Sequence, residues 1–200
     1  MRGEAPAAQE WAERGKALCG ERGFQLWLAQ ADVVRGWALV RQGREEGIAQ
    51  LREGLAAWRA TGAALARPTH LGLLAESYGR VGKPEEGLSL LSEALSAVER
   101  TGERWGEVEI YRVKGELLAM GSGDEHAEAE ACFRHALDLA RRQQAKSLEL
   151  RVATSLSRLW QRQDKREAAR LLLAKICDWF TEGLDTTDLR EARALRQALS

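Results

Sequence analysis

The chain has 200 residues, of which 44% are hydrophobic and 30% are charged, a composition that excludes both a disordered chain and a membrane-embedded one. Thirty basic residues balance thirty acidic ones, so no overall field holds the chain on nucleic acid or on an anionic membrane. No apolar run approaches the roughly 20 residues of a membrane-spanning helix, and the first residues lack the apolar core of a signal peptide. We therefore expect a cytoplasmic protein.

Amphipathic runs predict helices along the whole chain, the first over residues 7–22. Helices then alternate as first and second members of pairs. The predicted first helices span 25–42, 68–81, 105–120 and 146–163, and the predicted second helices span 44–60, 84–100, 124–142 and 166–181. A last helix is predicted over 188–199.

Residues that favour helix ends mark these boundaries. Glycines that can take a left-handed conformation follow three of the runs, at Gly23, Gly62 and Gly102. Pro68 and Pro84 fit the first turn of a helix. Asp124 is predicted to cap the helix that follows it, and Asp188 with Glu191 to form a capping pair for the last helix.

Small residues return at matching places in the second helices, 40, 42 and 40 positions apart, at Gly47, Gly87, Ala129 and Ala169. One turn further on the same face stand Leu51, Leu91, Phe133 and Leu173, followed by Gly54, Ala94, Ala136 and Ile176. Two helices that cross within the usual 8–10 Å have no room for a bulky side chain at the crossing. The pattern therefore predicts a stack of repeated helix pairs.

The first helices repeat a second pattern. Their small residues are Gly36, Ala75, Gly115 and Ser157, and three positions later come the large side chains Leu39, Tyr78, Leu118 and Trp160. Small residues at both crossing positions, with an aromatic residue or leucine three after the first, resemble the tetratricopeptide (TPR) superfamily. The resemblance implies an all-α, right-handed TPR-like α-solenoid of antiparallel helix pairs, here with a period of about 40 residues and a C-terminal capping helix.

Four segments sharpen the resemblance, namely 36–39 (GWAL), 47–55 (GIAQLREGL), 99–105 (ERTGERW) and 179–183 (WFTEG). They are similar to the C-terminal TPR region of bacterial signalling ATPases, in which a class III adenylate or guanylate cyclase domain, or a transcription-activator domain, precedes the ATPase module. The turn over residues 43–47 is one residue shorter than that over 82–87, and residues 121–123 are an extra Gly-Ser-Gly. None of the upstream catalytic segments is present in the sequence.

The repeats divide the chain into a half repeat, four repeats and a cap within a single domain. We expect the half repeat at 7–23, repeats at 24–62, 63–102, 103–144 and 145–183, and the capping helix at 186–199. Because the first helix has no preceding partner in the pattern, the chain is interpreted as a C-terminal fragment of a larger protein.

Candidate chemical motifs are better interpreted as structural positions. The segment 79–84 lacks the glycine spacing, the Ser or Thr and the preceding strand of a phosphate-binding loop. His126 and Glu130 lie one turn apart but have no third metal ligand at a suitable spacing, and His70 and His135 are assigned structural roles. The three cysteines, Cys19, Cys132 and Cys177, occupy apolar packing positions. We expect no catalytic residue, cofactor or metal in these residues.

In a TPR-like superhelix the first helices line the concave side, and the resemblance implies which residues project into it. The partner-binding residues proposed on this basis are Trp37, Arg41, Glu76, Arg80, Arg112, Glu116, Arg158 and Arg162, accompanied by Val33, Gly72, Met120 and Thr154. Guanidinium groups suit the bidentate capture of carboxylates or phosphates. The alternative is that these arginines and glutamates only neutralise one another across neighbouring helices.

The sequence thus favours a non-catalytic regulatory module that binds a protein or peptide, with the upstream ATPase domain of its own parent protein as one candidate partner. An alternative is that the intact polypeptide is a cyclase or nucleoside triphosphatase whose catalytic domains lie upstream. A third interpretation, a nucleic-acid-binding helical array, needs a basic stripe, which the neutral charge balance disfavours.

Overall fold

A computed structural model describes residues 4–199, which contain ten α-helices and no β-strand. The helices are α1 (Ala5–Arg22), α2 (Gln25–Arg41), α3 (Gly47–Ala60), α4 (Arg67–Arg80), α5 (Pro84–Thr101), α6 (Glu107–Leu118), α7 (Asp124–Arg142), α8 (Lys146–Arg162), α9 (Arg166–Cys177) and α10 (Thr187–Ala198). Every predicted helix is present. None of the described helices is both long and apolar enough to cross a membrane.

Two predicted boundaries differ from the structure by three residues or more. Helix α3 begins at Gly47 rather than at 44 because residues 42–46 form a turn in which Gly43 has φ of +81°. Helix α9 ends at Cys177 rather than at 181, and Trp179 and Phe180 beyond it stack edge to face with ring centroids 5.0 Å apart.

The predicted helix-end glycines are confirmed, with φ of +70° at Gly23, +79° at Gly62 and +71° at Gly102. Pro68 and Pro84 lie in the first turns of α4 and α5, as predicted.

The predicted side-chain caps are wrong. Asp124 is the first residue of α7 and makes no capping hydrogen bond. Asp188 accepts a hydrogen bond from Arg151 at 3.1 Å, and Glu191 accepts one from Arg158 at 2.6 Å. These acids therefore tie α10 to α8 instead of capping α10.

The small residues lie at helix crossings, as predicted. A Cβ placed on Gly36 of α2 would lie 2.7 Å from the carbonyl oxygen of Gly47 on α3, and one placed on Gly54 would lie 2.8 Å from the backbone nitrogen of Val33. The facing residue numbers rise on one helix as they fall on the other, so α2 and α3 are antiparallel. In the later pairs, a Cβ on Gly115 would lie 2.7 Å from the ring of Phe133, and the Ser157 hydroxyl donates a hydrogen bond to the carbonyl oxygen of Ala169 at 3.3 Å.

The described residues form two compact units, the first ending at Arg104 and the second beginning at Trp105. In the first unit α2 pairs with α3 and α4 with α5, and α1 packs on α2. Ala5 joins the apolar cluster around Val33 and Leu51, and Lys16 forms an ion pair with Asp32 at 2.5 Å. The first unit thus contains α1 and two helix pairs.

In the second unit α6 pairs with α7 and α8 with α9, and α10 packs on both α8 and α9. Leu189 and Ala192 of α10 are buried in this contact. The boundary between the units lies two residues after the predicted repeat boundary at 102. A single continuous repeat domain, with the repeat limits given above, stays a prediction.

Candidate functional site

The four partner-binding residues predicted in the first unit meet in one cluster. The Trp37 indole N–H donates a hydrogen bond to Glu76 Oε2 at 2.9 Å, and Arg41 donates one to Glu76 Oε1 at 2.7 Å. Arg80 lies 3.6 Å from the same carboxylate, and the Arg41 guanidinium lies 5.3 Å from the centre of the Trp37 ring. One carboxylate therefore joins a tryptophan and two arginines across α2 and α4.

Two residues of this cluster, Trp37 and Glu76, are buried, whereas Arg80 is exposed. Only 2% of Trp37 is exposed, and the tryptophan packs in the core with Val33 and Leu51. The expectation that Trp37 and Val33 project into an open hollow is therefore wrong. Both side chains are buried in the apolar core of the first unit, where large apolar groups are removed from water. Glu76 is also buried, so its pairing with Arg41 and Arg80 follows the alternative of mutual neutralisation.

The predicted residues of α6 in the second unit are also paired within the protein. Arg112 is buried and contacts Glu109 at 3.0 Å and Glu116 at 2.5 Å. Glu116 also accepts a hydrogen bond from the Ser155 hydroxyl at 2.7 Å. The expectation of an exposed Arg112 is wrong, since its guanidinium serves to join carboxylates on its own helix.

The two arginines of α8 differ from each other. Arg158 forms an ion pair with Glu191 of α10 at 2.6 Å, so it is already paired within the protein. Arg162 is exposed, and no hydrogen bond or ion pair of its side chain occurs within residues 4–199. Met120 is exposed too, whereas Thr154 is buried and donates its hydroxyl hydrogen bond to the carbonyl oxygen of Leu150.

A pocket of about 320 Å³ lies between α6 and α8. Its lining consists of Glu116, Ala119, Phe133, Ser155, Arg158, Gln161 and Arg162. The pocket combines an apolar base with two arginines, an amide and a hydroxyl at its edge. Such a set of groups can bind a carboxylate together with a small apolar side chain.

The other motifs fill structural positions. Residues 81–83 connect α4 to α5, so the segment 79–84 is a link between helices. Glu130 accepts hydrogen bonds from Arg134 at 2.7 Å and Lys165 at 3.1 Å. Partial burial by itself would raise the pKa of Glu130, but the hydrogen bonds with Arg134 and Lys165, the nearby indole of Trp160 and the charge of Lys165 together lower the pKa below its usual value. Within residues 4–199 no three His, Cys, Asp or Glu side chains lie close enough together to hold a metal ion.

The cysteines and histidines show the same packing roles. Cys132 and Cys177 are buried with free thiols, and burial raises the pKa of each, so neither is an activated thiolate. His70 is 2% exposed and its Nε2 lies 2.8 Å from Gln30 Oε1. Burial lowers the pKa of His70 to about 4. His135 is exposed and packs edge to face against Tyr111.

No protein-family model matches the sequence. Among solved structures, the TPR-like repeats of a candidate kinesin light chain from Podosopora anserina superpose with a TM-score of 0.53, at 14% identity, over 99% of this chain and 97% of that one. The fold is that of TPR-like helical repeats. An uncharacterized protein of Rhizobium meliloti (strain 1021) is 30% identical over 137 residues, which are 68% of this chain and 13% of that protein. The chain therefore spans a small part of the length of this relative.

The TPR-like repeats also form a second cavity, which sequence reasoning missed. It is a groove of about 790 Å³ in the first unit, with α4 as its floor and α3 and α5 as its walls. The backbones of α3 and α5 each contact α4 but do not contact one another. A comparison of the charged residues at equivalent positions of the two units would have singled out this groove.

Proposed function

We propose that this chain is a non-catalytic protein-interaction module of a larger bacterial signalling ATPase or cyclase, and that it acts in the cytoplasm. The TPR-like fold supports a role in binding proteins, since helical repeats offer extended surfaces. The resemblance of segments such as 47–55 and 99–105 to signalling ATPases supports the parent class. The observation that carries the proposal is the exposed Arg162, which has no partner within the described residues and stands at the edge of the α6–α8 pocket.

The pocket favours an acidic or carboxylate-bearing partner. Arg162 presents a free guanidinium fork, which suits a bidentate contact with a carboxylate. Arg158 stands beside it and is half-exposed together with Glu191, so a second carboxylate can approach the same guanidinium. Phe133 and Ala119 form the apolar lining of the pocket, but both are buried, so the contact with a partner depends mainly on the polar groups at the edge.

The proposed partner is a segment of the parent protein's own ATPase module. An intact parent that is itself a cyclase or nucleoside triphosphatase remains compatible with this role, because the catalytic residues then lie outside the 200 residues of this chain. Trp37, Arg41, Glu76 and Arg80 are assigned to internal support of the first unit, since they satisfy one another.

A charge reversal at the pocket tests the proposal. The upstream ATPase module of the parent protein is titrated into the wild-type chain and the Arg162→Glu variant, with Arg142→Glu as the matched control. Arg142 is an exposed arginine at the end of α7 with no ion pair among the described residues. We expect about a tenfold loss of affinity for Arg162→Glu, no change for Arg142→Glu and unchanged thermal unfolding for both. Equal affinities of all three proteins would remove the pocket from the binding surface.

A further inference from the structure

The groove of the first unit has walls of opposite charge. Its α3 wall carries Arg52 and Arg59, seven residues apart on one helix face, and its α5 wall carries Glu86 and Glu93 with the same spacing. Seven residues are two turns, or about 10.5 Å along a helix. Glu53 also lines the α3 wall, and two arginines against one glutamate leave that wall with a net positive charge. The α5 wall has two glutamates.

The floor between these walls is apolar. Leu71, Leu74 and Tyr78 line it from α4, at positions spaced by three and four residues. Leu90 extends the apolar surface toward the α5 wall. His70 lies at one end of the floor and packs edge to face against Trp58 with ring centroids 4.8 Å apart. Because its pKa is lowered to about 4, the imidazole adds no positive charge at neutral pH.

The second unit shows how the charges at the equivalent positions are neutralised. Helices α7, α8 and α9 match α3, α4 and α5 with a constant offset, since Gly47 corresponds to Ala129 and Ala75 to Ser157, each 82 residues later. Arg52 thus corresponds to Arg134, and Arg59 corresponds to Arg141. Arg134 pairs with Glu130 at 2.7 Å and stacks over Trp160 with its guanidinium 5.5 Å from the ring centre.

The second arginine of this pair is also neutralised in the second unit. Arg141 forms an ion pair with Glu149 at 2.9 Å. Lys165, the residue before α9, contacts Glu130 of α7 at 3.1 Å, so an ion pair joins this end of α9 to α7. Arg134 and Arg141, the counterparts of Arg52 and Arg59, are thus each paired with a glutamate of the second unit.

The first unit lacks both of these acids. The position of Glu130 is occupied by Ile48 and that of Glu149 by Arg67. Arg52 and Arg59 are exposed, and neither has a hydrogen bond or ion pair within the part of the chain that the structure describes. The arginines at these two repeat positions are therefore paired in the second unit, as Arg134 and Arg141, but unpaired among the described residues of the first unit, as Arg52 and Arg59.

The α5 wall of the first unit is more acidic than the equivalent face of α9 in the second unit. Glu86 and Glu93 stand where the second unit has Ala168 and Lys175. Glu93 accepts a hydrogen bond from Arg67, the first residue of α4, whereas Glu86 has no partner among residues 4–199. Within its described residues the first unit thus has two unpaired arginines on its α3 wall and one unpaired glutamate, Glu86, on its α5 wall, on either side of an apolar floor.

We propose that this groove binds an amphipathic helix of a partner protein, with apolar residues on the floor, acidic residues along the flank that faces α3 and basic residues along the flank that faces α5. The charges on each wall are about 10.5 Å apart, so a helix that lies along the groove can meet both charges of a wall with residues two turns apart, at i and i+7. Opposite charges on the walls fix the direction of the bound helix. This surface is separate from the α6–α8 pocket, and its proposal does not depend on that pocket.

Three synthetic helices of about 21 residues test the charge pattern. Each has leucine along one face, and the flanks of that face carry Glu on one side and Lys on the other, Glu on both sides, or Lys on both sides. We expect the mixed peptide to bind the wild-type chain about tenfold more tightly than either of the others at low salt. Equal binding of all three, or binding of none, would overturn the proposal.

A change of the α3 wall should change the preferred peptide. Arg52→Glu with Arg59→Glu makes both walls acidic, so the double-Lys peptide should become the tightest ligand. Arg142→Glu with Arg190→Glu, two exposed arginines on α7 and α10, is the matched control and should keep the wild-type order. Circular dichroism and thermal unfolding establish that both variants fold.

Two further measurements distinguish the groove from the α6–α8 pocket and from a surface for self-association. Arg162→Glu should leave binding of the mixed peptide unchanged, so a failure of the pocket proposal does not affect this one. Sedimentation of the peptide-free chain detects self-association. A dimer that dissociates in the Arg52→Glu, Arg59→Glu variant would mean that a second copy occupies the groove, and would overturn the assignment to a partner helix.

Discussion

Gly36 and Gly47 face each other across the α2–α3 crossing with no room for a side chain on either. A Cβ on Gly36 would lie 2.7 Å from the carbonyl oxygen of Gly47. That neighbour is backbone, which cannot move aside as the end of a flexible side chain does. The close approach of these two helices thus depends on glycine at both positions.

Replacement of Gly47 by alanine should therefore destabilise the chain. We expect a loss of about 3 kcal/mol in the free energy of unfolding, since the added methyl group overpacks a backbone contact. Gly15→Ala is the matched control, because a Cβ there would meet nothing within 4 Å and alanine is favoured over glycine inside a helix by up to about 1 kcal/mol. Urea unfolding measures both, and a loss at Gly15 equal to that at Gly47 would contradict the crossing argument.

The alanines at later crossings should tolerate no enlargement either. Ala94 and Ala136 are completely buried, so Ala94→Leu or Ala136→Leu should cost about 1–3 kcal/mol. Glu99→Leu on the exposed face of α5 should cost little, since its pairing with Arg104 at 3.4 Å is weak. The comparison is made by the denaturant midpoints of the three variants, and small, equal shifts would remove the packing reason for the small residues.

The crossings could be predicted from the sequence because their cause is local and repeated. A small residue at Gly36, Ala75, Gly115 and Ser157 meets the same steric requirement in each helix pair. Whether the predicted partner-binding residues are buried or paired could not be predicted in this way. The burial of Trp37 depends on the core cluster of the first unit, and the pairing of Arg158 depends on Glu191 of α10. Repeat position alone defines neither contact.

The groove was missed for a related reason. Arg52 and Arg134 occupy the same repeat position, and only their neighbours differ, with Ile48 in one unit and Glu130 in the other. Whether an arginine is paired depends on which side chains meet it after folding. A charge count over the whole chain, which gives zero, conceals this local imbalance.

The free energy of unfolding should decrease over a pH range that is defined by the two pKa values of His70, in the unfolded and in the folded chain. Burial lowers its pKa from 6.5 to about 4, so between these values the unfolded chain takes up a proton that the folded chain resists. The free energy of unfolding should therefore decrease as the pH falls from about 6.5 to about 4, by roughly 3 kcal/mol from this group. Urea titrations of wild type and His70→Gln across this range test the assignment, and the difference in slope between the two isolates His70. Parallel pH profiles would contradict it.

The carboxylate of Glu76 should contribute more to stability than an exposed one. Glu76→Gln keeps an acceptor for the Trp37 indole N–H but removes the charge that faces Arg41 at 2.7 Å. We expect a loss of about 1–3 kcal/mol because the buried side of this network is left incompletely satisfied. Glu13→Gln, which weakens the more exposed pair with Arg35 at 3.1 Å, should change stability much less, because solvent screens this pair. Equal effects at the two sites would mean that Glu76 is no better shielded than Glu13.

The amides of helix α1 should be less protected from hydrogen exchange than those of helix α3. Trp11 and Leu18 are 68% and 58% exposed, and only Ala5 and Ala12 of this helix are buried. Helix α3, in contrast, buries Leu51, Leu55 and Trp58. Little buried apolar surface is exposed to water when α1 detaches, so local opening of α1 costs little free energy. Amides of residues 10–20 should therefore exchange with deuterium faster than amides of residues 48–58. Hydrogen exchange on a monomeric sample measures this directly. If residues 10–20 exchange as slowly as 48–58, α1 is an integral part of the stack and the half-repeat interpretation is wrong.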